Sequence, residues 1–304
     1  MRPKDKIYTT TMNIALCTDE KYSYPCGVCI TSILENNKDE ECNFYILTTG
    51  LKPKTCQKFK YIENKYKQKI KIIKITDQTL NSLKASDRFP SSIYFRFILP
   101  EILDCDKVLY LDCDIIVTAN LSKLWNTDIK EYACGVIEDQ CGDDITLHNR
   151  IDNYNRYFNS GVLLMNLQYW REQHVADKLV NFISTHPEKC LYPDQDALNS
   201  ILSEQVLFLE YQYNYQELFL RNATNILLHK SKWCNLLPSN VIPTIIHYTG
   251  QTKPWHKMCR HPYASIFQEY KKMSPWKNVM IKSQYSLKNK FEMILRYVIY
   301  ILRS

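Results

Sequence analysis

Two aspartates, Asp112 and Asp114, directly follow a continuous apolar run in the segment KVLYLDCDIIV, residues 107–117. The run at residues 108–111 is typical of a strand that is buried on both faces of a sheet. Carboxylates so close to a buried strand are costly to desolvate unless a positive group neutralises them. A divalent cation would do so at the carboxyl end of the strand, where open α/β sheets bind their ligands. A solvated turn that carries two acids and no ligand is the alternative interpretation.

A second short apolar run, residues 245–246, is followed by an imidazole, His247, and then by Gly250 and Lys253. Imidazole suits transition metals and carboxylates suit hard cations, so the two together favour Mn²⁺, with Mg²⁺ as a weaker-binding ion. Gly250 would let the backbone approach a ligand closely, and Lys253 could place its ammonium group on a phosphate. Each residue alone is more often structural, and the combination with the aspartate pair is what indicates a site.

The first half of the chain alternates strand and helix patterns. Apolar strands are predicted at residues 13–18, 42–47 and 69–75, and helices at 22–34, 53–66 and 94–99. This alternation predicts an α/β fold with a mostly parallel, doubly wound sheet in one large domain. Asp19 directly follows the first strand and should therefore lie at the same sheet edge as the aspartate pair. A GxGxxG motif and a Walker lysine are both missing after that strand, which disfavours dinucleotide-binding and P-loop enzymes.

The 12 cysteines of the chain are scattered, and several fall in predicted core elements. Cys26 and Cys29 form a CxxC pair, but a second pair with zinc-ribbon spacing does not accompany it. We interpret the cysteines as reduced and buried, because free cysteine packs as a small hydrophobic residue. Reduced cysteines indicate a reducing compartment.

The segment near the C-terminus is strongly basic. The net charge is +7, and residues 277–303 hold six basic residues and one acid, a net +5. Apolar residues recur there at three- and four-residue steps with tyrosines beside them, which predicts a basic amphipathic helix on an anionic membrane surface. A helix packed on the body of the protein is the alternative. Signatures of nucleic-acid-binding folds do not accompany the charge, so nucleic acid is not an expected partner.

Three segments are predicted along the chain: an N-terminal extension at residues 1–11, a catalytic domain at 12–273 and a membrane-associating tail at 274–304. The N-terminus does not read as a secretory signal, and apolar runs of membrane-spanning length are missing. We therefore expect a cytoplasmic protein that associates peripherally with the inner face of the cell membrane through residues 277–304.

Four blocks of sequence closely resemble glycosyltransferase family 8, and within it the bacterial lipooligosaccharide and lipopolysaccharide α-galactosyltransferases and α-glucosyltransferases. The blocks are CDKVLYLDCDIIV, YFNSGVLLMNLQYWR, YPDQDALN and HYTGQTKPWH, in family order and spacing. The resemblance implies the GT-A fold with a helical basic tail, Mn²⁺, a UDP-sugar donor, a saccharide or glycolipid acceptor, and retention of the anomeric configuration.

The resemblance also implies roles for particular residues. Asp112, Asp114 and His247 would bind the metal, and Asp112 would also contact the donor. Asp19 and Lys21 would face the uracil and ribose of the donor, with Lys21 at a position where the family often has asparagine, and Gly250 and Lys253 would contact its pyrophosphate. The residues that would surround the transferred sugar are Arg96, Asp139, Asn159, Asp194 and Gln195.

Retention requires either a covalent double displacement or attack from the face of the leaving group. The expected catalytic residues are Gln195, Asp194 and Asp139. Gln195 is a poor nucleophile and Asp194 is the carboxylate next to it. We favour front-face attack, with the leaving phosphate oxygen taking the acceptor proton and Gln195 orienting the sugar.

The sequence thus predicts a retaining hexosyltransferase that moves glucose or galactose from its UDP form to a lipid-linked surface glycan (lipopolysaccharide, lipooligosaccharide or capsule). Two alternatives stay open. One is a self-glucosylating enzyme like glycogenin, which the tyrosine-rich composition permits. The other is a membrane tether that binds a UDP-sugar without turning it over.

Overall fold

The computed structural model describes residues 11–76, 80, 83, 90–141, 151, 156–217, 219, 241–250, 252–257 and 259–281. The strands are β1 (Met12–Cys17), β2 (Cys42–Thr48), β3 (Lys69–Lys74), β4 (Lys107–Leu111), β5 (Ile115–Val117), β6 (Cys134–Glu138), β7 (Phe158–Asn166), β8 (Val206–Phe208) and β9 (Ile245–His247). The α-helices are α1 (Ser23–Asn36), α2 (Pro53–Tyr66), α3 (Leu99–Ile102), α4 (Ser122–Trp125), α5 (Leu167–Glu172), α6 (Val175–Thr185), α7 (Pro193–Leu202) and α8 (Ala264–Met273), and 3₁₀ helices occupy Ser91–Ile98, Pro187–Lys189 and Tyr211–Tyr213.

Seven strands form the central sheet, in the order β3-β2-β1-β4-β7-β6-β8. The pairs β3–β2, β2–β1, β1–β4 and β6–β8 are parallel, so the predicted mostly parallel α/β sheet is confirmed. The apolar runs of β1 and β4 are buried because one core cluster covers each face of the sheet. Helix α1 and strand β5 contribute to one cluster, and the 3₁₀ helix Ser91–Ile98 with α6 and α7 contributes to the other.

Strand β7 is antiparallel to both of its neighbours, β4 and β6. Its register places Leu111 opposite Val162, and the backbone N–H of Asp112 donates to the carbonyl oxygen of Gly161 at 2.8 Å. The start of β7 therefore lies beside the aspartate pair. An apolar run does not reveal strand direction, so this antiparallel insertion was outside what the sequence predicted.

A second, two-stranded sheet pairs β5 with β9 and sits next to the end of β4. The pairing sets Ile115 opposite His247, and Tyr215 forms an isolated bridge to Ile246. Because β5 begins one residue after Asp114, this register carries His247 to the aspartate pair.

The last described residues pack on the catalytic domain. The ring of Trp276 is buried against Gly27 of α1, where a Cβ atom would lie 2.0 Å from Trp276 Cζ3. Trp276 also meets Phe59 of α2 edge to face, with ring centroids 5.2 Å apart. Trp276 therefore packs on the body, although the sequence analysis groups residues 274–304 as a tail. The predicted amphipathic helix, residues 282 onward, and the N-terminal extension up to residue 10 lie outside the described residues.

Two findings concern the whole described part of the chain. The cysteines within it, which are all but Cys234, are free thiols, and the predicted burial holds for five of these eleven, namely Cys26, Cys29, Cys42, Cys113 and Cys134. None of its helices has the length and apolar character needed to cross a membrane.

Candidate active site

The aspartate pair and His247 form one cluster at the carboxyl end of β4. Each of the three side chains offers an oxygen or nitrogen atom, and these atoms lie within 4.8 Å of one another. His247 Nε2 is 3.2 Å from Asp114 Oδ1 and 3.9 Å from Asp112 Oδ2. Asp112 and Asp114 reach the cluster from the turn after β4, and His247 reaches it from the end of β9.

Gly161 makes room for this cluster. A Cβ atom on Gly161 would lie 2.3 Å from His247 Cε1 and 2.8 Å from Asp112 Oδ2, distances that real Cβ contacts do not show. The imidazole and one carboxylate therefore occupy the space that a side chain at the start of β7 would fill. This is a close approach that only glycine permits.

A directed chain of hydrogen bonds sets the tautomer of His247. Gly161 donates its N–H to Asn159 Oδ1 at 3.0 Å, which fixes the orientation of the Asn159 amide. Asn214 Nδ2 donates to the same oxygen at 2.9 Å, and this leaves Asn214 Oδ1 to accept from His247 Nδ1 at 2.9 Å. His247 Nδ1 therefore carries a proton that it donates to Asn214, and Nε2 faces the aspartates. Such a buried partner is the usual way in which proteins orient a metal-binding histidine.

Lys253 lies next to Asp114. Its Nζ donates to Asp114 Oδ2 at 2.7 Å and also to the carbonyl oxygen of Tyr248. Burial acts to raise the pKa of the Asp114 carboxyl, but the charges and hydrogen bonds of Lys253 and His247 outweigh it and hold this pKa well below its usual range. Asp114 therefore keeps its negative charge at neutral pH.

Arg96 is buried, with 3% of its surface exposed, on the other side of the aspartate pair. Its guanidinium group lies 3.2 Å from Asp112 Oδ1 and 3.2 Å from Asp194 Oδ2, and it covers the ring of Tyr110. The Tyr110 hydroxyl donates to Asp112 Oδ1 at 2.7 Å. Burial acts to lower the pKa of Arg96, but Tyr110 and the two carboxylates raise it, so the guanidinium stays charged.

A set of polar side chains lies behind the cluster, around the start of β7. Asp139 Oδ2 accepts from Asn159 Nδ2 at 2.9 Å and from Gln195 Nε2 at 3.2 Å. The Ser160 hydroxyl donates to Asp194 Oδ2 at 2.9 Å, and the Ser160 N–H donates to Gln195 Oε1 at 3.0 Å. Burial raises the pKa of Asp139, and it also raises that of Asp194 although Arg96 opposes it. These hydrogen bonds join Asp139, Asn159, Asp194 and Gln195 into one group.

Asp19 and Lys21 lie in the loop after β1. Asp19 Oδ1 accepts from the N–H of Tyr22 at 2.7 Å, and Lys21 is exposed. Burial raises the pKa of Tyr22 to about 12, with further contributions from the negative charges of Asp114, Asp19 and Asp112. Tyr22 therefore lies within electrostatic range of both Asp19 and the aspartate pair. Its ring also meets Trp255 edge to face at 6.1 Å.

Gly250 lies where β9 leads into the Lys253 loop. A Cβ atom there would be 1.6 Å from Glu217 Oε2, so the Glu217 carboxylate rests directly on the glycine. A side chain at this position would overlap Glu217, and the predicted approach of the Gly250 backbone to a ligand stays a prediction.

The structure thus brings together Asp112, Asp114, His247, Lys253 and Arg96, and it joins Asp139, Asn159, Asp194 and Gln195 to them through hydrogen bonds. Sequence reasoning missed Asn214, Tyr110, Ser160 and Tyr22 as parts of this site. Tyr22 could have been found, since it follows Asp19 by three residues at a predicted strand end. Asn214 lies in YQYNYQ, which carries no recognisable motif.

The model of glycosyl transferase family 8 matches residues 13–259 of this chain. The chain belongs to glycosyltransferase family 8. This confirms the resemblance drawn from the four sequence blocks.

Individual relatives cover almost the whole chain. It is 32% identical over 282 residues to a lipopolysaccharide glucosyltransferase of Escherichia coli, and the aligned region covers 89% of this chain and 80% of that protein. It is 29% identical over 283 residues to general stress protein A of Bacillus subtilis, covering 91% and 97% of the two chains. Among solved structures, the galactosyltransferase LgtC in complex with donor and acceptor sugar analogues superposes with a TM-score of 0.77 at 26% identity, covering 87% of this chain and 96% of that chain. The GT-A fold is therefore confirmed.

Proposed function

We propose that the protein is a Mn²⁺-dependent retaining hexosyltransferase that transfers glucose or galactose from its UDP form to a lipid-linked cell-surface glycan. The observation that carries the proposal is the cluster of Asp112, Asp114 and His247, with Lys253 on one side and buried polar side chains on the other. A diphosphate leaving group needs positive charge, and a sugar needs hydrogen-bonding partners. This edge of the sheet offers both.

The residues present fit a divalent metal. Two carboxylates and an imidazole whose Nε2 faces them form a mixed oxygen and nitrogen donor set, which favours Mn²⁺ and admits Mg²⁺ more weakly. When bound, the ion would neutralise negative charge that develops on the diphosphate. Lys253 would act on the same oxygens, because its ammonium is a mobile point charge that already lies beside Asp114.

The donor would extend from the β1 loop to the polar group behind the cluster. Asp19 and Lys21 would meet its uracil and ribose, and Gly250 would let the backbone approach the diphosphate. Arg96 would contribute to sugar binding through its position between Asp112 and Asp194. Asn159 and Asp139, which bond each other, would hold sugar hydroxyls.

The surroundings of Asp194 support front-face attack. Its carboxylate is buried, pairs with Arg96 and accepts from Ser160, and such an engaged carboxylate is a poor covalent nucleophile. In the proposed step the bond from the sugar C1 to the phosphate oxygen breaks, and the acceptor oxygen bonds to C1 on the same face. The acceptor proton passes to the released phosphate oxygen. Gln195, held by Ser160 and Asp139, would orient the sugar.

The names of the relatives and the basic C-terminal tail both support a lipid-linked glycan as the acceptor. Two further matched proteins are lipopolysaccharide 1,2-glucosyltransferase and lipopolysaccharide 1,3-galactosyltransferase, of Escherichia coli and Salmonella typhimurium. The basic residues 277–304 would bring a cytoplasmic enzyme to the inner face of the membrane, where soluble UDP-sugar and a lipid-linked acceptor meet.

A donor screen tests the proposal. Release of UDP would be measured from UDP-glucose, UDP-galactose and their N-acetyl forms, with Mn²⁺, with Mg²⁺ and with a chelator, beside His247→Ala as a site-deficient control. We expect release from one of the two hexose donors, strongest with Mn²⁺ and lost in the control. Release that survives the chelator would reject the metal assignment, and release from the N-acetyl forms alone would reject the donor class.

The same samples separate the alternatives. A self-glucosylating enzyme would gain hexose on its own chain, which mass spectrometry of the protein detects after incubation. A tether without turnover would bind UDP-sugar in calorimetry but release no UDP with any acceptor.

A further inference from the structure

Nine lysines and one glutamate occupy residues 52–74, a net charge of +8 in 23 residues. The whole chain carries +7, so all other residues together carry −1, even though the tail contributes +5. The largest concentration of positive charge in this chain therefore lies in its folded body. It is well separated in sequence from the candidate active site.

Helix α2 and strand β3 turn these lysines outwards. Helix α2 packs on the sheet through Thr55, Phe59 and Ile62, which leaves its opposite face to solvent. β3 is the outermost strand of the central sheet. The exposed lysines of this surface, which we call the α2–β3 lysine surface, are Lys52, Lys54, Lys60, Lys65, Lys67, Lys69, Lys71 and Lys74.

Few of these charges are neutralised within the protein. Among the residues that the structure describes, Lys60 pairs with Glu63 and Lys65 with Glu35, and the other exposed lysines of the surface form no ion pair. Both ion pairs are partly exposed to solvent, so each contributes little to the stability of the protein. The positive field of this surface therefore stands largely uncompensated.

Apolar side chains are exposed beside the lysines. Tyr61 lies on the outer face of α2, three residues after Lys58 and four before Lys65, and 57% of its surface is exposed. Lys65 Nζ lies 3.4 Å from the carbonyl oxygen of Met273, and Lys58 covers the Trp276 ring at 4.9 Å. These contacts bring Met273, whose side chain is exposed, and Trp276 to the same surface.

Solubility and protection of an edge strand do not explain this composition. Charges of either sign keep a sheet edge from pairing, and a surface of mixed sign avoids self-repulsion. Positive charges with few negative ones among them, combined with exposed tyrosine and methionine, are instead typical of surfaces that contact the headgroups of anionic lipids. A nucleic acid would account for the lysines but not for the exposed apolar side chains.

We propose that the α2–β3 lysine surface docks the folded domain on an anionic phospholipid membrane, independently of the C-terminal tail. The inference does not depend on the proposed transferase activity. Its location suits that activity, however. Glu20, next to Asp19 in sequence, accepts from Lys52 N–H and Thr55 Oγ1, so α2 starts beside the candidate donor site. A domain docked through α2 would hold that site close to the membrane.

The test uses the full chain with two exposed lysines of the surface reversed, Lys54→Glu and Lys71→Glu. The matched control reverses two exposed lysines elsewhere, Lys130→Glu and Lys178→Glu, with the same change in net charge. Co-sedimentation would be measured with vesicles of equal parts phosphatidylglycerol and phosphatidylcholine, and with phosphatidylcholine alone. Melting temperatures and UDP release in solution would show that the variants are folded and active.

We expect the surface variant to bind anionic vesicles at least about tenfold more weakly than wild type, and the control variant to stay within about twofold. The same difference should appear in chains that end at Ile281, which lack most of the tail. Equal losses in the two variants, no loss in either, or a difference that vanishes in the shortened chain would overturn the proposal. Tighter binding of wild type to short duplex RNA than to anionic vesicles would do so as well.

Discussion

The candidate metal ligands are held in place by contacts within the protein. Tyr110 and Arg96 fix Asp112, Lys253 fixes Asp114, and Asn214 fixes His247. Side chains held in this way lose little conformational entropy when they bind an ion, so the site is preorganised. Single substitutions should therefore affect binding and transfer far more than stability.

We expect Asp112→Asn and Asp114→Asn each to abolish transfer while leaving the fold intact. Each change is nearly isosteric and removes one carboxylate charge from the ion, whose support of the leaving diphosphate is worth several kcal/mol of barrier. Transfer rates at saturating Mn²⁺ and circular dichroism would be compared with Asp177→Asn, an exposed control. Rates within about tenfold of wild type would rule out these two ligands.

Asn214→Ala should weaken Mn²⁺ binding about 10- to 100-fold, as expected when a buried partner of a ligand is lost. The distinguishing readout is the His247 tautomer in metal-free protein, followed by ¹⁵N NMR of the imidazole. Wild type should carry its proton on Nδ1, and Asn214→Ala should show a mixture. Asn43→Ala in β2 serves as control. An unchanged tautomer and unchanged affinity would reduce Asn214 to a packing residue.

Asp139 should make stability pH-dependent. Burial raises its pKa in the folded state above the value of about 3.9 in the unfolded chain, so the folded protein binds the proton more tightly. Its contribution to stability is complete below pH 3.9 and is lost as the pH rises through the folded pKa. Urea unfolding of metal-free wild type and Asp139→Asn from pH 4 to pH 7 measures this. Wild type should lose stability relative to the variant as the pH rises, and parallel curves would contradict the assignment.

Sequence patterns located these charged residues because each follows an apolar strand. Asp112 and Asp114 follow β4, whose carboxyl end is where an open α/β sheet binds ligands, and His247 ends β9. The antiparallel pairing of β9 with β5 in a separate sheet brings His247 to the same place. The amides were harder to find. Asn214 acts through two hydrogen bonds to residues far away in sequence, and a single asparagine in a tyrosine-rich stretch gives no local indication of them.

At the scale of elements, the antiparallel strand β7 presses its first residues against the end of β4. Gly161→Ala should therefore displace His247 and Asp112 and weaken Mn²⁺ binding at least about tenfold, because its Cβ would overlap both side chains. Gly135→Ala in the neighbouring strand β6 is the matched control, since its Cβ would meet only the flexible end of Leu209 within 3.0 Å. Calorimetry on both variants tests this. Equal Mn²⁺ affinities would show that β7 is not what shapes the site.

Strand positions were predicted well, but their pairing was not. The apolar runs of β1, β2 and β4 follow from their burial on both faces, whereas direction and partner depend on contacts between distant segments. The pairing of β5 with β9 is the clearest case. Each strand has only three residues, which is too short for the pairing to be predicted from sequence, yet this pairing places His247 beside the aspartate pair.

At the scale of the molecule, the tail can be tested without disturbing the body only if Trp276 is kept. A chain that ends at Ile281 retains the Trp276 contact with Gly27 and loses five basic residues and one acid. We expect it to bind anionic vesicles much more weakly, since each basic residue contributes about 1 kcal/mol, and to keep its melting temperature and UDP release. Trp276→Ala in the full chain should keep vesicle binding but lower the free energy of unfolding by about 3–5 kcal/mol. Unchanged vesicle binding of the shortened chain would contradict a membrane role of residues 282–304, and its precipitation or a lower melting temperature would show that these residues are part of the packed body.

The distance in sequence between Asp114 and His247 has a consequence for synthesis on the ribosome. Roughly 130 residues separate them, and at about 5–20 residues per second their translation takes on the order of ten seconds. During that time the strand with the two aspartates is complete, while β9, its imidazole and Lys253 do not yet exist. A nascent chain at that stage already pairs Asp112 with Arg96 and Tyr110, but it holds the Asp114 carboxylate without Lys253 and His247, its positive partners in the folded protein. The candidate metal cluster therefore cannot form before β9 and Lys253 have been translated, so products released earlier would lack its imidazole and its lysine.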